Sequence, residues 1–100
     1  MMNDQETEEM INLLIQFNFN VGSKGFIYWL YSIEQNKYNN KELNEIYKEL
    51  ALKENKTTQQ IEGAMKYARK NSDRLIRSYY NYKGKITNKI ILNLINMKGA

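Results

Sequence analysis

The fold is decided by residues 42–70, which read ELNEIYKELALKENKTTQQIEGAMKYARK. Their apolar residues recur at helical spacing in two runs, so the stretch predicts two helices. Between the runs, Asn55 can adopt the left-handed conformation that ends a helix. Thr57 and Gln60 have the spacing of a capping box, which fixes where the second helix begins. This is helix-turn-helix spacing, although a helical hairpin that only packs into a bundle shows the same pattern.

Helical periodicity extends along the rest of the chain, which has no proline and no alternating run that predicts a strand. A break is expected after the first helix, where Gly22 can adopt positive φ and Ser23 can cap the next helix. Thr87 is expected to cap the last helix. Further helices are predicted over residues 6–18, 24–35, 73–80 and 88–97. The predicted fold class is all-α, a compact bundle of about six helices containing a helix-turn-helix, with residues 1–100 as a single domain.

Two of these helices raise the question of which side faces the core. In residues 24–35, Ile27 is expected to be at least half-buried, whereas Tyr28, Trp29 and Tyr31 cannot all be inside. Such an aromatic stripe is more typical of a core or a dimer surface than of a base-stacking platform. In residues 73–80, the apolar side chains are predicted to point inward and the arginines outward. These are Leu75, Ile76 and Tyr79, and Arg74 and Arg77.

The residue types that are missing restrict the chemistry. The chain has no Cys and no His, which excludes disulfides, thiolate metal ligands and the usual general base at neutral pH. Glutamates at i, i+4 spacing are more typical of a solvated helix face than of a catalytic pair. We therefore expect no enzymatic activity, no cofactor and no metal. No apolar run approaches the length of a membrane span, so a cytoplasmic protein without membrane contact is expected.

The net charge of +4 conceals an asymmetry along the chain. Residues 1–62 hold six lysines and ten acids, a balance of 6 − 10 = −4. Residues 63–100 hold nine lysines and arginines and one acid, a balance of 9 − 1 = +8. The basic half begins inside the second helix of the hairpin. This asymmetry favours an anionic partner such as a phosphate backbone, whereas a basic surface that only aids solubility is the alternative.

Three segments carry a resemblance to a known family. They are KGFIYWLYSI at residues 24–33, NKTTQQIEGAMKYA at 55–68 and ITNKIILNLI at 86–95. Together they resemble the C-terminal DNA-binding effector domain of the sporulation-initiation response regulators of endospore-forming bacteria, the stage zero sporulation protein A family. The resemblance implies a six-helix domain, often in paired copies, whose helix at residues 57–70 enters the DNA major groove. The family's phosphorylated receiver domain has no counterpart here, so we expect a regulator that acts without it.

Comparison with the family's DNA-facing positions gives a mixed result. The resemblance implies that Glu62 matches a glutamate at the base edges and that Lys66 keeps the charge of an arginine. Gln60 and Tyr67 stand where the family has an arginine and a histidine. Gly63 stands where the family has its guanine-reading arginine, a contact worth about 1–3 kcal/mol of discrimination. The family's DNA target is therefore not expected to apply to this chain.

The leading hypothesis is a sequence-specific or semi-specific double-stranded DNA-binding protein, a transcriptional regulator that acts as a homodimer on two half-sites. The predicted base-facing residues are Gln59, Gln60, Glu62, Lys66 and Tyr67. The predicted phosphate contacts are Lys56, Thr57, Arg69, Lys70, Arg74, Lys83, Lys85 and Lys89.

The alternative is a protein-interaction module, such as a small phage or plasmid inhibitor, built on a repurposed helix-turn-helix fold. It is motivated by Gly63 and by the aromatic residues Tyr28, Trp29 and Tyr31, which are expected to be exposed on such a surface. A stoichiometric protein partner would distinguish it from a DNA-binding regulator.

Overall fold

Residues 1–97 are described by a computed structural model, in which six α-helices follow one another along the chain. They are α1 (Asp4–Gln16), α2 (Lys24–Asn39), α3 (Leu43–Glu54), α4 (Thr58–Ala68), α5 (Asp73–Tyr80) and α6 (Asn88–Ile95). No strand occurs in residues 1–97, and within that range no helix combines the length and hydrophobicity needed to cross a membrane. The prediction of an all-α bundle of about six helices is confirmed.

Side chains cap the start of four helices, α1, α3, α4 and α6, and the caps of the last two were predicted. Thr57 Oγ1 accepts from the Gln60 amide at 3.1 Å, and Gln60 Oε1 accepts from the Thr57 amide at 2.9 Å. Thr87 Oγ1 accepts from the amide of Ile90 at 3.1 Å. Asn3 caps α1, which therefore begins two residues earlier than the periodicity of its apolar residues predicts. These bonds satisfy amides that have no acceptor within the helix.

Asparagines in the left-handed conformation provide most of the turns. Gly22 was predicted to have positive φ, and this prediction was wrong, because no described glycine has positive φ. The prediction that Asn55 ends the first helix of the hairpin is confirmed, with φ of 55°. Four asparagines share this conformation, namely Asn18, Asn40, Asn55 and Asn81. Because the left-handed residue after α2 is Asn40, that helix continues to Asn39 rather than ending near residue 35.

The packing of α2 against α4 holds the hairpin to the rest of the bundle. A Cβ atom at Gly25 would lie 2.0 Å from the carbonyl oxygen of Ala64, so only glycine permits this close approach. One turn later the fully buried Trp29 donates its indole N–H to the Met65 carbonyl at 2.9 Å. Both contacts are to the α4 backbone, so they fix the position of α4 independently of its outer side chains.

The aromatic stripe of α2 faces inward, as is typical of such a stripe, and this corrects the exposure that the protein-interaction alternative expected. Trp29 is fully buried, Tyr28 is buried and Tyr31 is half-buried, whereas Ile27 is 65% exposed. The reason is that α2 is surrounded, since it contacts α1, α3, α4 and α6. Only a narrow strip of the helix faces solvent, and Ile27 occupies it.

The prediction for α5 is correct for Ile76, which is inward, and for Arg74, which is exposed, and it is wrong for the other three positions. Ile76 is fully buried, but Leu75 is 42% exposed and Tyr79 is 64% exposed. Arg77, predicted to point outward, is half-buried and donates to the carbonyl of Gly84. The helix spans eight residues and enters the core through Ile76, which leaves its other apolar side chains at the edge.

Candidate nucleic-acid interface

The two sides of α4 have different surroundings. Its apolar residues Ile61, Met65 and Ala68 are buried in the core. The residues on the opposite side, at the three- and four-residue spacing of one helix face, are exposed. They are Gln59, Gln60, Gly63, Lys66, Tyr67 and Lys70, where Lys70 lies just beyond the helix end. We call these six residues the outer face of α4.

Two predicted base-reading residues differ in what their side chains can still bind. In Gln60, the amide oxygen is occupied by the capping box, which leaves the amide nitrogen as its free donor. A glutamine reads adenine through both its oxygen and its nitrogen, so Gln60 cannot make that pair while it caps α4. Gln59 is exposed, and its oxygen accepts only a long bond of 3.4 Å from Thr58 Oγ1.

The charged side chains of α4 have neighbours on the same helix. Lys66 Nζ lies 3.9 Å from the carboxylate of Glu62, which is half-buried at the edge of the outer face. Lys70 Nζ lies 4.4 Å from the ring centroid of Tyr67, a cation–π contact. Both pairs are solvent-exposed, so each is worth little and can be exchanged for a ligand at low cost.

Gly63 lies in the middle of the outer face, and the space above it is open. A Cβ atom built at this position meets nothing within 4 Å. The glycine is therefore not required by packing, in contrast to Gly25. A longer side chain at this position would project into solvent beside Lys66 and Tyr67.

Arg69, predicted as a phosphate contact, instead faces inward and is 9% exposed. Its Nε donates to Asn88 Oδ1 at 2.6 Å, and its Nη1 donates to Asp73 Oδ1 at 3.0 Å. Asn88 in turn donates from Nδ2 to the hydroxyl of Tyr47 at 3.0 Å. These bonds link α3, the end of α4, α5 and the start of α6. The arginine follows the last turn of α4, where the chain turns towards α5, and this turn directs it into the bundle.

Tyr47 is one of the buried residues of α3, and its hydroxyl takes part in this polar network. Burial raises the pKa of the Tyr47 hydroxyl, and the hydrogen bond from Asn88 acts against that increase. Neither Tyr47 nor Asn88 was predicted as part of a site. Their spacing in the sequence, 41 residues apart, gives no signal that they meet.

The other predicted phosphate contacts fall into two groups. Lys85 and Lys89 line a cleft together with Lys66, so folding brings them beside α4. Lys56 and Thr57 lie in the turn that leads into the same helix. Arg74 and Lys83 are exposed, and no described contact joins either of them to α4.

A second, smaller groove between α3 and α4 adds residues that the sequence did not indicate. Asn44 and Lys48 line it opposite Gln59 and Glu62. The four-residue spacing of Asn44 and Lys48 places them on one side of α3, which is the available signal. That spacing alone is common on solvated helices, so it does not identify a site.

In residues 1–97 there is no group of three or more carboxylate, His or Cys residues that could hold a metal ion. Comparison with known proteins gives no match to a family model, to a curated protein or to a solved structure.

Proposed function

We propose that this protein binds double-stranded DNA, with α4 lying in the major groove, and that it acts as a transcriptional regulator without catalytic activity. The observation that carries the proposal is the division of α4 into two sides. The buried side and its backbone contacts to Gly25 and Trp29 hold the helix in place. The outer face, with Lys85 and Lys89 beside it, is polar and cationic, as groove-binding helices are.

Base reading is assigned to Gln59, Glu62, Lys66 and Tyr67. Gln59 retains a nearly free amide for adenine, and Glu62 can accept from the amino group of cytosine. Gln60 is assigned a single donated hydrogen bond, because its oxygen caps the helix. The proposed phosphate contacts with exposed side chains do not include Arg69, which is buried and lines a cleft. They are Lys56, Thr57, Lys70, Arg74, Lys83, Lys85 and Lys89.

A homodimer on two half-sites is part of the proposal. A single groove-binding helix buries a small area, and single modules of this size reach useful affinity by pairing. Sedimentation of the protein with a duplex is expected to show two chains per duplex. A one-to-one complex at saturation on every bound duplex would contradict pairing and leave DNA binding itself intact.

The proposal is tested by mobility shift against a pool of random duplexes, followed by affinity measurement on a selected one. Because phosphate contacts release counterions, binding is expected to weaken by orders of magnitude between about 50 mM and about 200 mM salt. Lys66→Ala is expected to weaken binding further and to relax the preference for the base that Lys66 contacts. Lys53→Ala is the matched control, since it removes the same charge from the end of α3. Absent or salt-insensitive binding would overturn the proposal.

Gly63 offers a gain-of-function variant of the same test. Gly63→Arg has room for its side chain and adds one cation to the outer face. We expect tighter binding and a preference for guanine opposite the new arginine, worth about 1–3 kcal/mol over other bases. Gly63→Ala is the control, because it changes helix propensity without adding a donor. If both variants bind every duplex as the parent protein does, α4 does not lie in the groove.

Protein binding is the second candidate function, and one observation favours it. Leu75 and Tyr79 are exposed on α5 and border a shallow groove with Phe17 at its base. Tyr28 and Trp29 no longer support this candidate, because both are buried. This candidate would be favoured by a defined protein that binds the purified chain at a one-to-one ratio after nuclease treatment. The same protein should bind the Tyr79→Ser variant at least about tenfold more weakly.

A further inference from the structure

A cleft of about 360 Å³ opens where the start of α3, the second half of α4 and the loop into α6 meet. We call it the α3–α4–α6 cleft. Its buried polar lining residues are Tyr47, Arg69 and Asn88, and its exposed cations are Lys66, Lys85 and Lys89. Its volume lies in the range of small-ligand sites.

The Arg69 guanidinium is held rigidly with donors to spare. The bonds to Asn88 and Asp73 use Nε and one hydrogen of Nη1, which is two of its five N–H groups. Within residues 1–97, Nη2 donates to no acceptor. It is also not one of the fully buried polar atoms without a hydrogen bond. Nη2 is therefore not fully enclosed by protein, and Arg69 is one of the residues that line the cleft. A fixed, planar guanidinium with free N–H groups suits an oxyanion.

The start of α6 supplies a second set of donors to the same cleft. Thr87 satisfies the amides of Ile90 and Ile91 through its hydroxyl and its carbonyl. The amides of Asn88 and Lys89 precede them in the first turn, where a helix has no internal acceptor to offer. Thr87, Asn88 and Lys89 all line the cleft. The positive end of the α6 dipole therefore adds to the field of Arg69.

The charges of the lining residues leave the cleft positive. Four cations, Lys66, Arg69, Lys85 and Lys89, are opposed by the lining carboxylates Glu42 and Glu62 and by Asp73, which pairs with Arg69, so the balance is 4 − 3 = +1. One of the carboxylates, Glu62, is already paired with Lys66 at 3.9 Å. An anion with more than one charge and several acceptor oxygens satisfies both the arginine and the helix amides. Phosphate has these properties.

We infer that the α3–α4–α6 cleft binds a phosphate group, held by Arg69, Lys85, Lys89 and the first amides of α6. The group comes either from a small phosphorylated molecule or from the backbone of a duplex on the outer face of α4. The inference does not require DNA binding, because the cleft is complete in the single chain.

Inorganic pyrophosphate is the probe for the test, titrated into the full chain while amide resonances are recorded. We expect saturable shifts centred on Asn88 and Lys89, and binding at least about tenfold weaker in the double variant Lys85→Gln/Lys89→Gln. The control Lys37→Gln/Lys53→Gln removes the same charge from positions outside the cleft and is expected to bind pyrophosphate as the parent does. No saturable shift at millimolar pyrophosphate, or an equal loss in both double variants, would overturn the inference.

A competition experiment then separates the two sources of phosphate. If a bound duplex displaces pyrophosphate and shifts the same α6 amides, the backbone supplies the group. If the duplex shifts only α4 while pyrophosphate remains bound, a small molecule does. If the protein binds no duplex at all, the proposed function fails and the pyrophosphate titration still decides the cleft.

Discussion

At the scale of single residues, Gly25 and Gly63 are helical glycines in opposite surroundings, one tightly packed and one open. Both lie within helices, and neither has positive φ. A Cβ atom at Gly25 would meet the α4 backbone at 2.0 Å, whereas at Gly63 it would meet nothing within 4 Å. The first glycine is required by a helix contact, and the second lowers helix stability without a packing reason.

This difference predicts opposite effects of the same substitution. Gly25→Ala is expected to lower the free energy of unfolding by about 3 kcal/mol or more, because backbone atoms of α4 must move. Gly63→Ala is expected to raise it by about 0.5–1 kcal/mol through helix propensity. Chemical denaturation followed by the fluorescence of Trp29, the one tryptophan in the chain, measures both. Effects of the same sign would show that α2 and α4 do not approach as closely as described.

The burial of Arg69 is a feature of single-residue scale that the sequence does not predict. Its position among other basic residues favours a solvent-exposed phosphate contact, yet it is 9% exposed and bonded to Asn88 and Asp73. Its partners lie on α5 and α6, so only the tertiary structure shows that its guanidinium forms the inner wall of a cleft.

At the scale of helices, the start of α4 and the end of α3 follow local rules. Thr57 and Gln60 exchange two hydrogen bonds across the first turn, as their spacing predicts. Local sequence is sufficient for such features because donor and acceptor are three residues apart. The same holds for Asn55, whose short side chain tolerates the left-handed conformation.

The cap of α4 provides a prediction at this scale. Thr57→Ala is expected to lower the free energy of unfolding by about 1 kcal/mol, because the Gln60 amide loses its acceptor. Thr58→Ala is the control, since the Thr58 hydroxyl bonds only to the neighbouring Gln59 side chain. Urea denaturation of both variants measures the difference. An equal change in the two variants would mean that the capping bond does not stabilise α4.

The orientation of helices is where local rules fail. Periodicity predicts that α2 and α5 are helical. It does not predict which of their aromatic or apolar side chains pack against another helix. Trp29 is buried because α4 presents the Met65 carbonyl to it. Tyr79 is exposed because α5 faces the core with Ile76 and, in part, Tyr80, and Tyr79 lies on another side of the helix.

At the scale of the whole molecule, the tyrosines determine how stability responds to high pH. Burial, with a smaller effect of Tyr79, raises the pKa of Tyr80 to about 12. Burial likewise raises the pKa values of Tyr28, Tyr31 and Tyr47. An unfolded tyrosine loses its proton near pH 10, whereas the folded protein retains it, so the folded state binds more protons above that pH.

The free energy of unfolding is therefore expected to fall as pH rises from about 10 to about 12. The contribution of Tyr80 is fully present below about pH 10 and disappears as pH passes the raised pKa. Denaturation curves at a series of pH values measure the decline, and Tyr80→Phe is expected to make it shallower. A parent protein whose stability stays constant to pH 12 would contradict the burial of these hydroxyls.

The sequence by itself determined the helices, their order, the caps at Thr57 and Thr87 and the left-handed turn at Asn55, because these depend on residues within one or two turns of each other. It also determined the excess of positive charge after residue 62. The tertiary structure alone decided that Gly25 allows α2 to touch α4 and that Arg69 turns inward. It alone places Lys85 and Lys89 beside Lys66, since residues about 20 apart meet only once α6 packs against α4.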